Sequence, residues 1–181
     1  MNEYKGFSKY YDLLNEGRFD YSGEASAVSE FFKKYNVKEV MDITCGTGNH
    51  IIHLAEMGYS CSANDLSQEM VDIAKNKANE KKLNIEFFTS DVCAVNGNSP
   101  KDGVYSLHAL SLLKDKESVK KAVQSAYNCL KEGGVFVCVI MDKTNKAAGF
   151  NQGVMIDSTQ KETCKIVQMH KTMFEGSAQH C

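Results

Sequence analysis

The stretch Met41-Asp-Ile-Thr-Cys-Gly-Thr-Gly-Asn-His50 decides the fold. The apolar run "KEVMDI" (38–43) leads into it and the helical pattern "NHIIHLAEM" (49–57) leads out. The expectation is a buried strand, a tight turn and a helix. Gly46 and Gly48 leave the turn's main chain bare, and Asp42 places a carboxylate at the strand end. A dinucleotide turn of the Gly-x-Gly-x-x-Gly kind needs a third glycine, and here Ile51 stands in that place. A carboxylate beside the turn would also repel a pyrophosphate. It suits a ligand with positive charge.

Outward from the turn, apolar runs alternate with helical periodicity. After Gly58, the expected helix stop, "YSCSAND" (59–65) is a second strand, and Ser67 is the N-cap of "QEMVDIAKNKANEKK" (68–82). "NIEFFTSD" (84–91) and "DGVYSLH" (102–108) are the third and fourth strands. "ESVKKAVQSAYNCLKEGG" (117–134) reads as a helix closing on Gly133, and "GVFVCVIMD" (134–142), apolar throughout, as a fifth, central strand. Such alternation predicts an α/β fold whose parallel sheet has helices on both faces, with ligands beyond the carboxyl ends of the strands. Ahead of the sheet, Val28, Phe31, Phe32 and Tyr35 recur at helical spacing, which predicts a packing helix. Behind it, "GVMIDS" (153–158) and "ETCKIVQMHKTMF" (162–174) read as a hairpin. The divisions are 1–36, an N-terminal lid and packing segment; 37–142, the core; and 143–181, a hairpin appendage.

With 21 basic against 23 acidic residues among 181, no charge surplus points to nucleic acid or to an anionic membrane. No apolar run approaches the ~20 residues of a membrane span, and the N-terminus lacks a signal-peptide layout. Seven widely spaced cysteines without a Cys-x-x-Cys fit reduced thiols in a cytoplasmic protein.

The cationic nucleoside that suits this turn is S-adenosylmethionine. Its ribose diol wants a carboxylate at the end of the second strand, where Asp65 stands. Its adenine amino group wants an acceptor at the end of the third, where Asp91 stands. The run "VMDITCGTGNH…GYSCSANDLSQEM…IEFFTSDV…LKEGGVFV" resembles the class I S-adenosylmethionine-dependent methyltransferases over residues 1–142, and "FSKYYDLLNEGRFDY" (7–21) resembles the segment preceding the domain in small-molecule members. The resemblance implies a Rossmann-like three-layer sandwich with a mostly parallel central sheet. It also implies a cofactor site of Asp42, Thr44, Cys45, Gly46, Thr47, Gly48, Asp65, Leu66, Met70, Asp91, Val92 and Leu107. Tyr10, Tyr11 and Tyr21 are then lid candidates, and His108 is the catalytic candidate facing a small-molecule acceptor. Thr44 stands where many members have glycine. After the fifth strand members usually continue through a further helix and two strands. Here the hairpin ends the sheet, so the expectation is a short or truncated chain whose open edge a homodimer could cover.

Two readings of histidine and cysteine complete the expectations. His50 and His53 are three apart on a helix, but no third ligand is in register, so no metal is expected. Cys45 is a small filler of the turn, with no base beside it. Two rivals stand beside methyl transfer: a protein that binds the cofactor without transferring, and a nicotinamide-dependent oxidoreductase, which Ile51 disfavours.

Overall fold

The computed structural model describes residues 6–95, 99–140, 152–157 and 165–170. Its seven strands are β1 (Glu39–Asp42), β2 (Ser60–Asp65), β3 (Ile85–Thr89), β4 (Lys101–Ser106), β5 (Leu130–Ile140), β6 (Gln152–Asp157) and β7 (Lys165–His170). They form one sheet in the order β3-β2-β1-β4-β5-β6-β7. Strands β1 to β5 pair in parallel, and β6 and β7 are antiparallel additions. The order reverses between β1 and β4, so the crevice lies beyond their carboxyl ends, where the glycine turn is. The sheet is the expected α/β one, and the hairpin is present as β6 and β7. The outer parts of those expected strands (141–142, 158, 162–164 and 171–174) lie outside the described residues.

The described residues hold five α-helices: α1 (Tyr11–Leu14) in the N-terminal segment, and α2 (Tyr21–Lys34), α3 (Asn49–Glu56), α4 (Gln68–Glu80) and α5 (Lys116–Asn128) flanking the sheet. Polar caps set three of the starts. Asp20 accepts from the Gly23 amide at 2.9 Å, Ser67 from Met70 at 3.4 Å and Asp115 from Ser118 at 2.8 Å. Alternation along the strands divides the core into two layers. Val40, Tyr105, Val135 and Val137 pack with Ala25, Val28 and Phe32 of α2 and with Ile51 and Leu54 of α3. Met41, Val104 and Phe136 pack with Ala122 and Ala126 of α5 on the other face.

Two expectations need correction. Helix α5 ends at Asn128, with Cys129 as its cap, rather than at Gly133. Leu130 already pairs with Lys101, so Gly133, at φ 76°, bends the start of β5 instead. The pairing shifts register between Lys101 and Gly103, and Lys131 there reaches both Glu39 and Asp102. Tyr35 is exposed rather than on the packing face, because α2 closes at Lys34 and Tyr35 caps it, its ring 4.9 Å from that of Phe31.

Phe32 is the hinge of α2 on the sheet. It is fully buried, and its ring fills the space above Gly103, where an added Cβ would lie 2.9 Å from it. Truncation to alanine leaves a cavity that β4 and α2 cannot both close. Phe32→Ala is expected to cost about 3–5 kcal/mol of stability in urea denaturation.

Candidate active site

The turn between β1 and α3 is built by hydrogen bonds that hold the strand tips together. Gly46 (φ 53°) and Gly48 (φ 82°) take left-handed conformations that L side chains rarely adopt. Their surroundings differ. A Cβ on Gly46 would enter open space, whereas one on Gly48 would lie 2.9 Å from the Ala74 side chain. Gly46 therefore borders the cleft. Gly48, expected to serve ligand approach, also lets α3 close on α4. The Thr44 amide donates to Asp42 Oδ1 at 3.0 Å, and the Thr44 and Ser106 hydroxyls bond at 2.7 Å. The Thr44 hydroxyl thereby ties the turn to the end of β4.

Asn64, immediately before Asp65, is fully buried and joins three strand ends. Its amide donates to the carbonyls of Ile43 and Ser90 at 3.1 Å each and accepts from the Ser90 hydroxyl at 2.8 Å. Asp65 accepts from the Gly46 amide at 2.8 Å and from the Ser67 amide at 2.9 Å. It thus both braces the turn and prepares α4, and each oxygen keeps a lone pair for a further donor. Burial pushes the Asp65 carboxyl upward, and the amides of Ser67, Gly46 and Leu66 oppose that shift. Asp42, 2% exposed, is pushed by burial up to about 7, against the Thr44 amide, with the nearby Asp65 charge adding to the rise. A cation between these two carboxylates would relieve both effects.

Other expected residues fall around this centre. Asp91 is exposed on the rim, where its carboxylate accepts from the Cys93 amide at 2.8 Å, and Val92 opens the short turn beyond it. Leu66 is 61% exposed, while Met70, Thr47 and Leu107 are buried. Cys45 is buried and its thiol is pushed well above the ordinary range by burial, which agrees with a filler.

The N-terminal segment lies over the turn. Asp12 accepts from the Thr47 hydroxyl at 2.7 Å and from the Asn49 amide at 2.9 Å, and pairs with Lys77 at 2.6 Å. Burial works upward on Asp12, but these donors hold it below its usual value. Glu69 takes the Ser8 hydroxyl at 2.6 Å and the Gly6 amide at 3.1 Å. Of the aromatic lid candidates, Tyr21 packs edge-on to His50 with ring centroids 5.0 Å apart, Tyr11 begins α1 half-buried, and Tyr10 is exposed under Lys9.

His108 follows β4 in a left-handed conformation, φ 64°. Its Nε2 lies 2.9 Å from Glu24 Oε2, which His50 Nε2 approaches at 2.7 Å. Burial alone would raise Glu24, but the His108 and His50 bonds outweigh it and hold the carboxyl at about 2. Burial lowers His50, with Glu24 partly restoring it. His53 instead pairs with Glu56 at 3.2 Å on the surface. His50 thus meets His108 through Glu24, a contact that the spacing of His50 and His53 does not reveal. Asp12, Glu24 and Asn64 carry site contacts that spacing did not single out.

The comparisons with known proteins agree with this geometry. Residues 40–134 match the methyltransferase domain family, and the chain belongs to it. A protein of Geobacillus sp. (strain WCH70) named as a methyltransferase is 29% identical over 98% of this chain and 72% of its own length. The glycine/sarcosine N-methyltransferase of Aphanothece halophytica is 30% identical over 80% of this chain, which spans 55% of that relative. An S-adenosylmethionine-dependent methyltransferase from Clostridium acetobutylicum ATCC 824 superposes with a TM-score of 0.69 at 25% identity, covering 92% of this chain and 80% of that one. The chain is a class I S-adenosylmethionine-dependent methyltransferase.

Asp42 gives a pH test. Its folded value, near 7, lies above the ordinary 3.8. The folded state therefore keeps a proton that the unfolded chain releases, and this group's contribution to stability falls as pH rises through that window and levels off above about 7. Asp42→Asn is expected to gain stability relative to the parent between pH 5 and pH 8 in urea denaturation of the ligand-free protein. An unchanged difference at the two ends would contradict the assignment.

Proposed function

We propose that this protein transfers the methyl group of S-adenosylmethionine to a small-molecule acceptor. The observation that carries the reading is the pair of carboxylates, Asp42 buried and Asp65 half-buried, beside the bare main chain at Gly46. In this reading Asp65 takes the ribose diol through its free lone pairs. Asp91 accepts from the adenine amino group, with the Val92 amide beside it, and Leu66 and Met70 flank the base. Asp42 faces the methionine ammonium. Thr44, Cys45, Gly46, Thr47 and Gly48 form the floor under the sulfur, and Leu107 borders the methyl group. Tyr10, Tyr11 and Tyr21 belong to the segment that closes over the cofactor.

S-adenosylmethionine supplies an already electrophilic methyl group. The chain's task is then to hold an acceptor lone pair in line with the carbon–sulfur bond and to exclude water, which is catalysis by proximity and orientation. His108 is the catalytic residue of this reading. It contacts and orients the acceptor from the end of β4, held there by Glu24. The near-neutral charge supports a small acceptor over a nucleic acid. No helix among the described residues is long and apolar enough to cross a membrane. Free thiols at Cys45, Cys61 and Cys93 support a reducing compartment, and the cytoplasm is the proposed location.

Calorimetry with S-adenosylmethionine and its demethylated product, followed by methyl release against a metabolite panel, tests the reading. Asp65→Ala is expected to weaken cofactor binding by about 1–3 kcal/mol, through loss of charge-assisted hydrogen bonds to the diol. A folded variant with unchanged affinity would remove that role. Cofactor binding with no transfer to any acceptor would favour the non-transferring rival.

A further inference from the structure

Three donor atoms from three separate elements meet beside the proposed acceptor position. Glu24 comes from the first turns of α2, His50 from the start of α3 and His108 from the loop after β4. Glu24 Oε2 and the two imidazole Nε2 atoms all lie within 4.8 Å of one another. The three side chains are only 11–17% exposed. We propose that Glu24, His50 and His108 form a binding site for a divalent transition-metal ion.

The convergence is the main argument. Two imidazoles aim the same ring nitrogen at one carboxylate oxygen, at 2.7 and 2.9 Å. Without an ion, each short contact needs a proton between nitrogen and oxygen. A cation at the same point takes all three lone pairs at once. The ligand distances of such ions, about 2.0–2.2 Å, require the donors to shift only slightly. The backbone supports the same point. His108 holds a left-handed conformation, uncommon for a residue with a side chain, and that conformation turns its ring back toward Glu24. Its other nitrogen, Nδ1, is buried without a hydrogen-bond partner among the described residues, so Nε2 is the atom the fold commits to the cluster. Phe19 packs 4.8 Å from the His108 ring and Tyr21 5.0 Å from the His50 ring, giving the cluster an aromatic wall.

The donor set selects the ion. Two imidazole nitrogens and one carboxylate suit Zn²⁺, Co²⁺, Mn²⁺ or Fe²⁺, whereas Mg²⁺ and Ca²⁺ favour oxygen alone. Three protein ligands leave coordination positions open, as in catalytic rather than structural sites. Two features oppose tight binding. Glu24 and His50 stand near helix N-termini, whose dipoles disfavour a cation, and no carboxylate or carbonyl partner orients the His108 ring from behind. Affinity is therefore expected in the micromolar range. The open positions would take an oxygen or nitrogen lone pair of the acceptor and fix its approach to the methyl group. This role rests on the methyl-transfer reading above; the ion site itself does not. It favours acceptors carrying a hydroxyl, carboxylate or amine that can coordinate.

The test uses the full chain, freed of metal with a chelator and kept reduced. Co²⁺, Mn²⁺ and Mg²⁺ are titrated separately by calorimetry, and the Co²⁺ complex is followed by visible absorption. The expected result is one Co²⁺ or Mn²⁺ per chain, with Mg²⁺ at least 100-fold weaker. The Co²⁺ spectrum should show ligand-field bands without an intense thiolate band. His108→Ala and Glu24→Gln should each weaken binding at least tenfold, and His53→Ala on the exposed face of α3 should leave it unchanged. Circular dichroism of every variant verifies the fold, and His108, in a loop, guards against a Glu24 variant that unseats α2. No saturable binding, a thiolate band, or affinity indifferent to His108 and Glu24 would overturn the site and leave the cluster a hydrogen-bonded clamp. Binding of S-adenosylmethionine, titrated separately, tells this failure from failure of the methyl-transfer reading.

Discussion

The turn after β1 must carry the chain from Asp42 to the start of α3 at Asn49 while leaving its upper face bare. Gly46 and Gly48 make this possible through left-handed backbone that a side chain would strain. Everything else in the site is positioned from that turn. Asp65 is braced by its bond from the Gly46 amide, and Asp42 is braced by the Thr44 amide. Gly48 sets how closely α3 approaches α4, because a methyl group there would meet Ala74. The carboxylates of Asp42, buried, and Asp65, half-buried, are a standing cost in the ligand-free protein, since desolvation disfavours their charge. A cationic ligand between them would reverse that cost.

The N-terminal segment adds a cover that depends on the same turn. Asp12 gathers Thr47, Asn49 and Lys77, so the cover is fastened to the turn and to both helices beyond it. Glu24 does the same one helix later, bridging α2 to α3 and to the loop after β4. Partly exposed polar bonds of this kind are individually weak enough to open and re-form.

Much of this was legible in the sequence because it is local. Strand and helix periods, the Ser67 cap, the Gly58 stop and the acids at the tips of β1 and β2 follow from neighbouring residues. The hairpin of β6 and β7 also followed from its two apolar runs. What escaped depends on residues far apart in the chain. Asn64 read as one more polar residue ahead of an aspartate, and only the sheet places it among the ends of three strands. His50 has Glu24, 26 residues before it, as its partner, and through Glu24 the distant His108, which spacing along α3 cannot show. The end of α5 was misjudged because Gly133 carries a stop signal, while the earlier pairing of Leu130 with Lys101 had already drawn the chain into the sheet.

The most direct measurement is a crystal structure of the protein with S-adenosylhomocysteine. The account requires the sulfur over the open face of Gly46, the ribose hydroxyls on Asp65 and the adenine edge against Asp91. A ligand bound elsewhere, or one seated at the turn with its ribose away from Asp65, would contradict it.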